Sequence, residues 1–311
     1  MPIMTIAFFR LRALLVSLVA LAAPVLLAGV LDMYVAEPLR DARTLHIRLV
    51  PVHAKSAAEL AARMGAEQYT WPPAAPVPRF AVTALPSDMG SLDVAQRKAV
   101  FFRSVLPLAI AENTRLARLR TVLEGAFAVG PLTPGTWRFR QASQIARAFR
   151  LEGDLNDAAL RSELLRRVDI IPVALLLAQA ANESAWGGSR FALEGNALFG
   201  QWTWMPDAGI TPRQRKKGAR HQVRAYADLR GSVRAYLHNL NTGHAYEDLR
   251  ALREAMRREG RAPDALALAG TLLRYSERRE AYVAEVQALI RNNGLDQLPP
   301  LQLAALPGVT P

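Results

Sequence analysis

The sequence contains no cysteine in 311 residues, which excludes disulfides, thiolate metal sites and a cysteine nucleophile. It has no set of His, Asp and Glu at metal-ligand spacing and no glycine-rich phosphate loop, so no metal or cofactor is implied. His46 and His53 form no recognisable ligand pair and read as surface residues. No internal repeat is present. Alternating βα units are missing too, which argues against a doubly wound sheet. Acidic residues are the scarcer charge, 27 Asp+Glu against 39 Lys+Arg, for a net charge of +12. That excess favours an anionic partner, whether nucleic acid, a membrane surface or an acidic wall polymer, without choosing among them.

With 51% hydrophobic residues, a sizeable core is possible. The length suits two domains, or one domain with appendages. Arg10 and Arg12 precede Ala13 to Leu31, 19 residues without a charge. Such a run is long enough to span a bilayer. Basic residues before it and Asp32 and Glu37 after it predict an N-in, C-out orientation. An uncleaved anchor is favoured over a cleaved signal because the apolar run is long. Residues 1–33 are therefore read as a signal anchor. Residues 34–90 are read as a membrane-proximal region and proline-rich linker, with Pro72, Pro73, Pro76, Pro78 and Pro86 between Trp71 and Gly90. Residues 91–297 form the main domain, and 298–311 a loose tail.

Ser56 to Met64 reads as a short helix with Ser56 as cap and Glu59 at capping-box spacing. Leu45 to Leu49 alternates like a strand. A helix capped by Ser91 is predicted to run to about Phe127, kinked or broken at Pro107. Arg115, Arg118 and Arg120 read as its solvated face. Further helices are predicted over 141–151 and 156–167, the second capped by Asn156. From Leu229 the chain reads as helical: about 229–240, 244–259, 263–275 and 278–292. Between lie two short extended segments, Asn196 to Trp202 and Arg220 to Ala227, bracketing a loop with a basic run from Arg213 to Arg220. The fold class is mostly α (α+β): an orthogonal helix cluster with a small β-hairpin.

The stretch from Ile171 to Trp204 organises the rest. Pro172 suits the first turn of a helix. Val173 to Ala181 is apolar on nearly every side, so this helix belongs in a core. It delivers Glu183 to its C-terminal end, before Trp186 and the break Gly187-Gly188. Glu183 shares a helix face with Gln179 and Leu176. An apolar wall disfavours the carboxylate and raises the acid's pKa, as a proton donor to a glycosidic oxygen requires. The rival reading has Glu183 capping a turn or pairing with an arginine such as Arg190. Trp186, Phe199, Trp202 and Trp204 follow closely. Aromatic faces stack on the apolar faces of sugar rings, and Trp202 and Trp204, two apart, point to one side of an extended segment. Phe199 is the one best read as core.

AQAANESAWGGSRFALEGNALFGQW (178–202), then ARHQVRAYADLRGSVRAYLHNLNTGHAYEDLR (219–250) and YSERREAYVAEVQALIRNNGL (275–295), resemble the bacterial Bax-type peptidoglycan glucosaminidase family. More distantly they resemble flagellar-rod murein hydrolases. The resemblance covers about residues 95–295 and implies a lysozyme-like fold, a murein glycan substrate and cleavage of the β-1,4 bond after N-acetylglucosamine. It implies Glu183 as the catalytic acid and Tyr246 as the tyrosine near the cleaved bond. Trp186, Ser189, Asn196, Phe199, Gln201, Trp202, Gln222 and Tyr226 are the candidate substrate contacts in the same motifs. It also implies a periplasm-facing domain on an inner-membrane anchor, or a periplasmic protein if the signal is cleaved. Nucleic acid is then not a partner; the oligomeric state is left open.

The second catalytic group is not evident. A two-carboxylate mechanism needs a partner acid. Related enzymes often carry one near the hairpin, where this chain has Gln222. Asp207 and Asp228 are the nearby acids, and His221 a candidate base. Substrate assistance by the sugar's N-acetyl group, a lytic transglycosylase reaction and a non-catalytic murein-binding scaffold all remain open on sequence alone.

Overall fold

The computed structural model describes residues 45–74, 76–213 and 220–306. The apolar run Ala13 to Leu31 and most of the basic loop lie outside the described residues. Among the described residues no helix is long and apolar enough to cross a membrane.

Two parallel strands, β1 (Val50–Val52) and β2 (Phe80–Val82), frame helix α1 (Ala57–Ala66). The Ser56 hydroxyl accepts the N–H of Glu59, and the Glu59 carboxylate accepts the N–H of Lys55, so the expected N-terminus forms. The strand falls at Val50–Val52 rather than over 45–49. The proline-rich segment does not act as a spacer. Val77, Leu85 and Met89 are buried in the same core as the helices, and the Trp71 ring stacks on Phe102 with centroids 4.6 Å apart. The described part of the C-terminal tail is not loose either. Val77 bonds to Gln302 and Ala304 through its backbone, because prolines leave that extended segment free to pair with another chain edge. The core thus crosses the boundary expected at residue 91.

Helix α2 (Val94–Ala128) is a single 35-residue element that passes through Pro107. Proline removes one backbone hydrogen bond there. From Val100 to Asn113 the helix is buried almost throughout. Each large apolar side chain so buried contributes roughly 1.5–3 kcal/mol, so their sum outweighs the missing bond. Its cap is Asp93, whose carboxylate accepts the Gln96 N–H at 2.8 Å, while Ser91 ends a 3-10 turn.

Helix α3 (Trp137–Ala148) starts earlier than predicted, at a Thr136 cap. Helix α4 (Ala158–Arg167) is capped by Asp157, not Asn156. The Asn156 side chain instead clamps the backbone of Leu132, at 2.7 and 3.0 Å. Helix α5 (Val173–Ser184) follows, buried on almost every face, and packs against α2. Then come α6 (Arg190–Gly195), β3 (Trp202–Thr203), β4 (Gly209–Ile210) and β5 (Gln222–Arg224). The expected hairpin is a three-stranded antiparallel sheet in the order β3-β5-β4. Part of the loop folds back onto β5 at Gly209, where a Cβ would lie 2.4 Å from the Val223 carbonyl oxygen. The remainder is helical, with α7 (Leu229–Thr242), α8 (Glu247–Arg258) and α10 (Arg279–Asn292) close to expectation, whereas the helix expected over 263–275 is cut to α9 (Ala265–Ala269) and a 3-10 turn at Leu272–Arg274. The class is mostly α with one small β element.

Candidate active site

Helix α5 ends one residue after Glu183. Ala185 and Trp186 both take left-handed φ values, 50° and 57°, and Gly187 follows at 78°. A side chain at Gly187 would lie 2.3 Å from Leu85 Cδ1, so glycine is required by space as well as by φ. The Ser184 hydroxyl fixes the turn, donating to the Ala180 carbonyl at 2.6 Å and accepting from the Gly187 N–H at 2.9 Å. This turn carries Trp186 away from Glu183. Its ring packs on Phe101 and Phe102, with centroids at 5.9 and 5.1 Å, under the Lys98 ammonium. Trp186, a candidate substrate contact, therefore packs against the core and is absent from the cleft wall.

Tyrosines supply the wall beside Glu183. Tyr236 is fully buried, Tyr246 and Tyr282 nearly so, and Tyr275 stacks on Tyr282 with centroids 5.2 Å apart. Burial pushes the Glu183 carboxyl above the ordinary carboxylate range. Hydrogen bonds from Tyr282 and Asn182 and the charge of Arg278 oppose that push, and Glu285 adds to it. Among the described residues no ion pair reaches Glu183; Arg190, the suspected partner, instead pairs with Glu194 at 3.1 Å. One turn earlier, Gln179 is wholly buried. Its amide nitrogen donates to the Tyr282 hydroxyl at 2.8 Å, and its oxygen accepts from the Tyr236 hydroxyl at 2.6 Å. With its lone pair engaged by Gln179, Tyr282 keeps its own proton for Glu183. The i, i+4 spacing of Gln179 and Glu183 on α5 builds this relay.

Glu183 opens into a cleft of about 1500 Å³. Tyr246, Phe199, Gln201, Trp202 and Tyr226 line it, as does Trp204. Tyr246 accepts a hydrogen bond from Asn239 at 3.5 Å. Phe199 stacks on Tyr236 at 4.0 Å and serves both core and cleft floor. The Tyr226 hydroxyl donates to Gln201 at 2.5 Å, and burial pushes its pKa up to about 12. Trp202 and Trp204 are 56% and 69% exposed, on one side, as two-residue spacing in an extended segment requires. His221 stacks behind Trp202 at 4.2 Å, a supporting position rather than a catalytic one.

Four other candidates lie off the cleft wall. Trp186 has been described. Ser189 caps α6, accepting the Ala192 N–H at 3.2 Å. Asn196 ends that helix in a left-handed conformation and donates to the Tyr226 carbonyl at 3.1 Å. Gln222 donates to the Thr211 hydroxyl at 3.3 Å. Asp228 caps α7, and neither it nor Asp207 lines the cleft. The one other carboxylate on the cleft wall is Glu277, exposed in the loop before α10.

A second buried acid sits farther along. Glu112 is fully buried on α2, where Arg115, Arg230 and Arg234 bond to it at 2.8, 2.6 and 2.9 Å. Burial raises its pKa, but the arginines win and hold it down at about 2. Arg118 is exposed as expected, but Arg115 lines the cleft and Arg120 bonds to the Leu165 carbonyl at 2.5 Å, so the three do not form one solvated face. Among the described residues no group of three His, Asp or Glu side chains is placed to hold a metal.

Residues 158–295, which include α4, α5, the small sheet and α10, match the glucosaminidase family, described as mannosyl-glycoprotein endo-beta-N-acetylglucosaminidase. That part of the chain is thus similar to a glucosaminidase domain, and the mostly α architecture is consistent with such a domain. The chain is also 29% identical over 198 residues to Protein bax of Escherichia coli (strain K12), covering 63% of this chain and 70% of that protein. In both comparisons the chain is similar to glucosaminidases of the Bax type. No solved structure matches significantly.

Proposed function

We propose that this protein is a peptidoglycan hydrolase that cleaves the β-1,4 bond following N-acetylglucosamine, with Glu183 as general acid. One observation carries the reading: a carboxyl with a raised pKa, free of any arginine partner, at the base of an aromatic-walled cleft. A carboxyl whose pKa is raised keeps its proton to higher pH, and so can donate it to the leaving glycosidic oxygen as the bond to C1 breaks. Trp202 and Trp204 offer faces for sugar rings.

The second half of the mechanism differs from a two-carboxylate scheme. The groups around Glu183 are tyrosines, and the charge of Glu183 acts on Tyr236, Tyr246, Tyr275 and Tyr282. This surrounding favours substrate assistance. The carbonyl oxygen of the sugar's own N-acetyl group attacks C1 as the glycosidic bond breaks, with Tyr246 orienting it. Water then opens that intermediate, giving its proton to the Glu183 carboxylate. In this reading residues 13–31 hold the domain at the inner membrane, facing the periplasm.

Mass spectrometry of murein digested by the full chain tests the proposal. Hydrolysed N-acetylglucosamine reducing ends are expected, and Glu183→Gln is expected to release none. Ends lighter by one water are the mark of a lytic transglycosylase. Normal release by Glu183→Gln would overturn the assignment. A second reading, a murein-binding scaffold without catalysis, draws on Gln222, an amide where related enzymes often carry an acid; tight binding with no new ends would favour it.

A further inference from the structure

The cleft is unusually cationic for a site that handles neutral sugars. Seven arginines and two glutamates line it: Arg115, Arg150, Arg224, Arg234, Arg274, Arg278 and Arg279 against Glu183 and Glu277. Arg278 pairs with Glu285 at 2.5 Å, Arg279 lies 3.8 Å from Glu280, and Arg115 and Arg234 share the buried Glu112. Most of the others face the cleft with no acid beside them on its wall.

One cluster of the positive groups gathers on Glu112 of α2. Glu112 takes up Arg115, Arg230 and Arg234 together, so three guanidiniums meet one carboxylate and two positive charges stay unbalanced. Glu112 is inaccessible, so it cannot serve as a ligand group itself. Its effect is to hold Arg115 and Arg234 in fixed positions. Arg234 bonds to it twice, through Nε at 3.0 Å and Nη2 at 2.9 Å, and still keeps a side chain 47% exposed. Arg150, in a left-handed conformation after α3, adds an exposed guanidinium to the same wall. His238 sits among them, its Nε2 on the Ala148 carbonyl at 2.7 Å. Burial, together with the charges of Arg150, Arg115 and Arg224, keeps that ring below the usual histidine range. Packing like charges together costs Coulomb energy that only an incoming anion recovers.

We propose that Arg115, Arg150 and Arg234 form a carboxylate-binding subsite that grips the acid groups of an anionic glycan strand while Glu183 acts on the neutral sugar. This rests on the reading that the cleft takes a murein strand. The guanidinium N–H groups that Glu112 leaves unused on Arg115 and Arg234, together with the exposed Arg150 guanidinium, are charge-assisted donors suited to a carboxylate. In murein the carboxylate has two possible sources. One is the lactyl acid of a muramyl sugar from which the peptide has been removed. The other is the acid groups of an attached stem peptide.

Binding to the full chain carrying Glu183→Gln, which avoids turnover, tests the subsite. The ligands are a neutral N-acetylglucosamine hexamer, peptide-free murein strands, strands bearing stem peptides, and a single-stranded oligonucleotide. At least one murein ligand is expected to bind roughly tenfold or more tightly than the neutral hexamer, with the advantage shrinking at high salt. An advantage confined to peptide-free strands assigns the lactyl acid; one confined to stem-bearing strands assigns the peptide. Adding Arg150→Gln or Arg234→Gln is expected to remove most of that advantage and to move the neutral hexamer much less. Arg150 does not touch Glu112, so its variant keeps the test independent of folding at that node. Equal affinity for neutral and anionic glycans would overturn the subsite and leave the hydrolase reading standing. Binding of the oligonucleotide above every glycan, or binding of no glycan, would overturn both.

Discussion

Two buried glutamates lie on the two central helices, and their surroundings drive them in opposite directions. Glu112 on α2 is fully buried yet ionised, held at a pKa of about 2 chiefly by Arg234 and Arg115, with Arg230 bonded to it as well. Glu183 on α5 is less buried yet harder to ionise, because burial dominates there: the Tyr282 hydrogen bond offsets it only in part, and among the described residues no guanidinium bonds to the carboxyl. Burial alone therefore does not decide the charge of an acid; the partner set does. The first arrangement suits a permanent counter-ion that positions arginines. The second suits an acid that must give up a proton and take one back.

Replacing each acid with its amide separates the two roles. Glu183→Gln is expected to lower kcat by on the order of a thousandfold, the upper range of what general acid catalysis supplies. Its thermal stability at neutral pH should rise, because a pKa raised by folding makes the ionised form a cost that grows as pH climbs through it. Glu112→Gln should do the reverse to stability, lowering it by about 3–5 kcal/mol, since three arginines would be left around a neutral group. In the wild type the Glu112 contribution is whole above the ordinary value of 4.5 and is lost as pH falls from there toward about 2. Melting curves across that window, for wild type and Glu112→Gln, check the sign: the two should converge in acid. A constant gap would break the comparison.

Tyr282→Phe sharpens it further. The tyrosine hydrogen bond holds the Glu183 pKa down against burial, so its loss should raise that pKa again. The alkaline limb of the kcat–pH profile is then expected to move to higher pH, with kcat down about tenfold at its maximum. A limb that stays in place would remove Tyr282 from the acid's support and leave it a packing residue.

Much of this was legible in the chain because some signals are local. The apolar run of α5, its i, i+4 pair Gln179 and Glu183, and the spacing of Trp202 and Trp204 are read directly from periodicity. Other features are not local. Nothing in the sequence marks Glu112 as the partner of Arg230 and Arg234, more than a hundred residues away. Trp186 was read toward the cleft from its nearness to Glu183, yet two left-handed residues in a row turned it onto Phe101 and Phe102. The proline-rich segment carries the composition of a linker, but Val77, Leu85 and Met89 are too apolar to leave in water and dock on α2. No local signal marks Tyr275 and Tyr282 as site residues, because their hydroxyls meet Phe199 and Gln179, 76 and 103 residues away, only through tertiary packing.

The exposed tryptophans give the smallest expected effect and the finest comparison, that between two neighbouring rings. Trp202 is braced from behind by His221 and edge-on by Trp204, with centroids at 4.2 and 6.3 Å, so its orientation is fixed before a ligand arrives. Trp204 is more exposed and lacks such a backing. An aromatic contact contributes about 0.5–1.5 kcal/mol beyond its area, and less when a free side chain must first be ordered. Trp202→Ala is thus expected to raise KM about tenfold and Trp204→Ala about threefold, each with kcat nearly unchanged. His221→Ala should give part of the Trp202→Ala effect, because it frees the ring without removing it. Steady-state kinetics on murein fragments measure all three. A fall in kcat for His221→Ala with KM unchanged would make His221 the missing base and reverse its role as a brace.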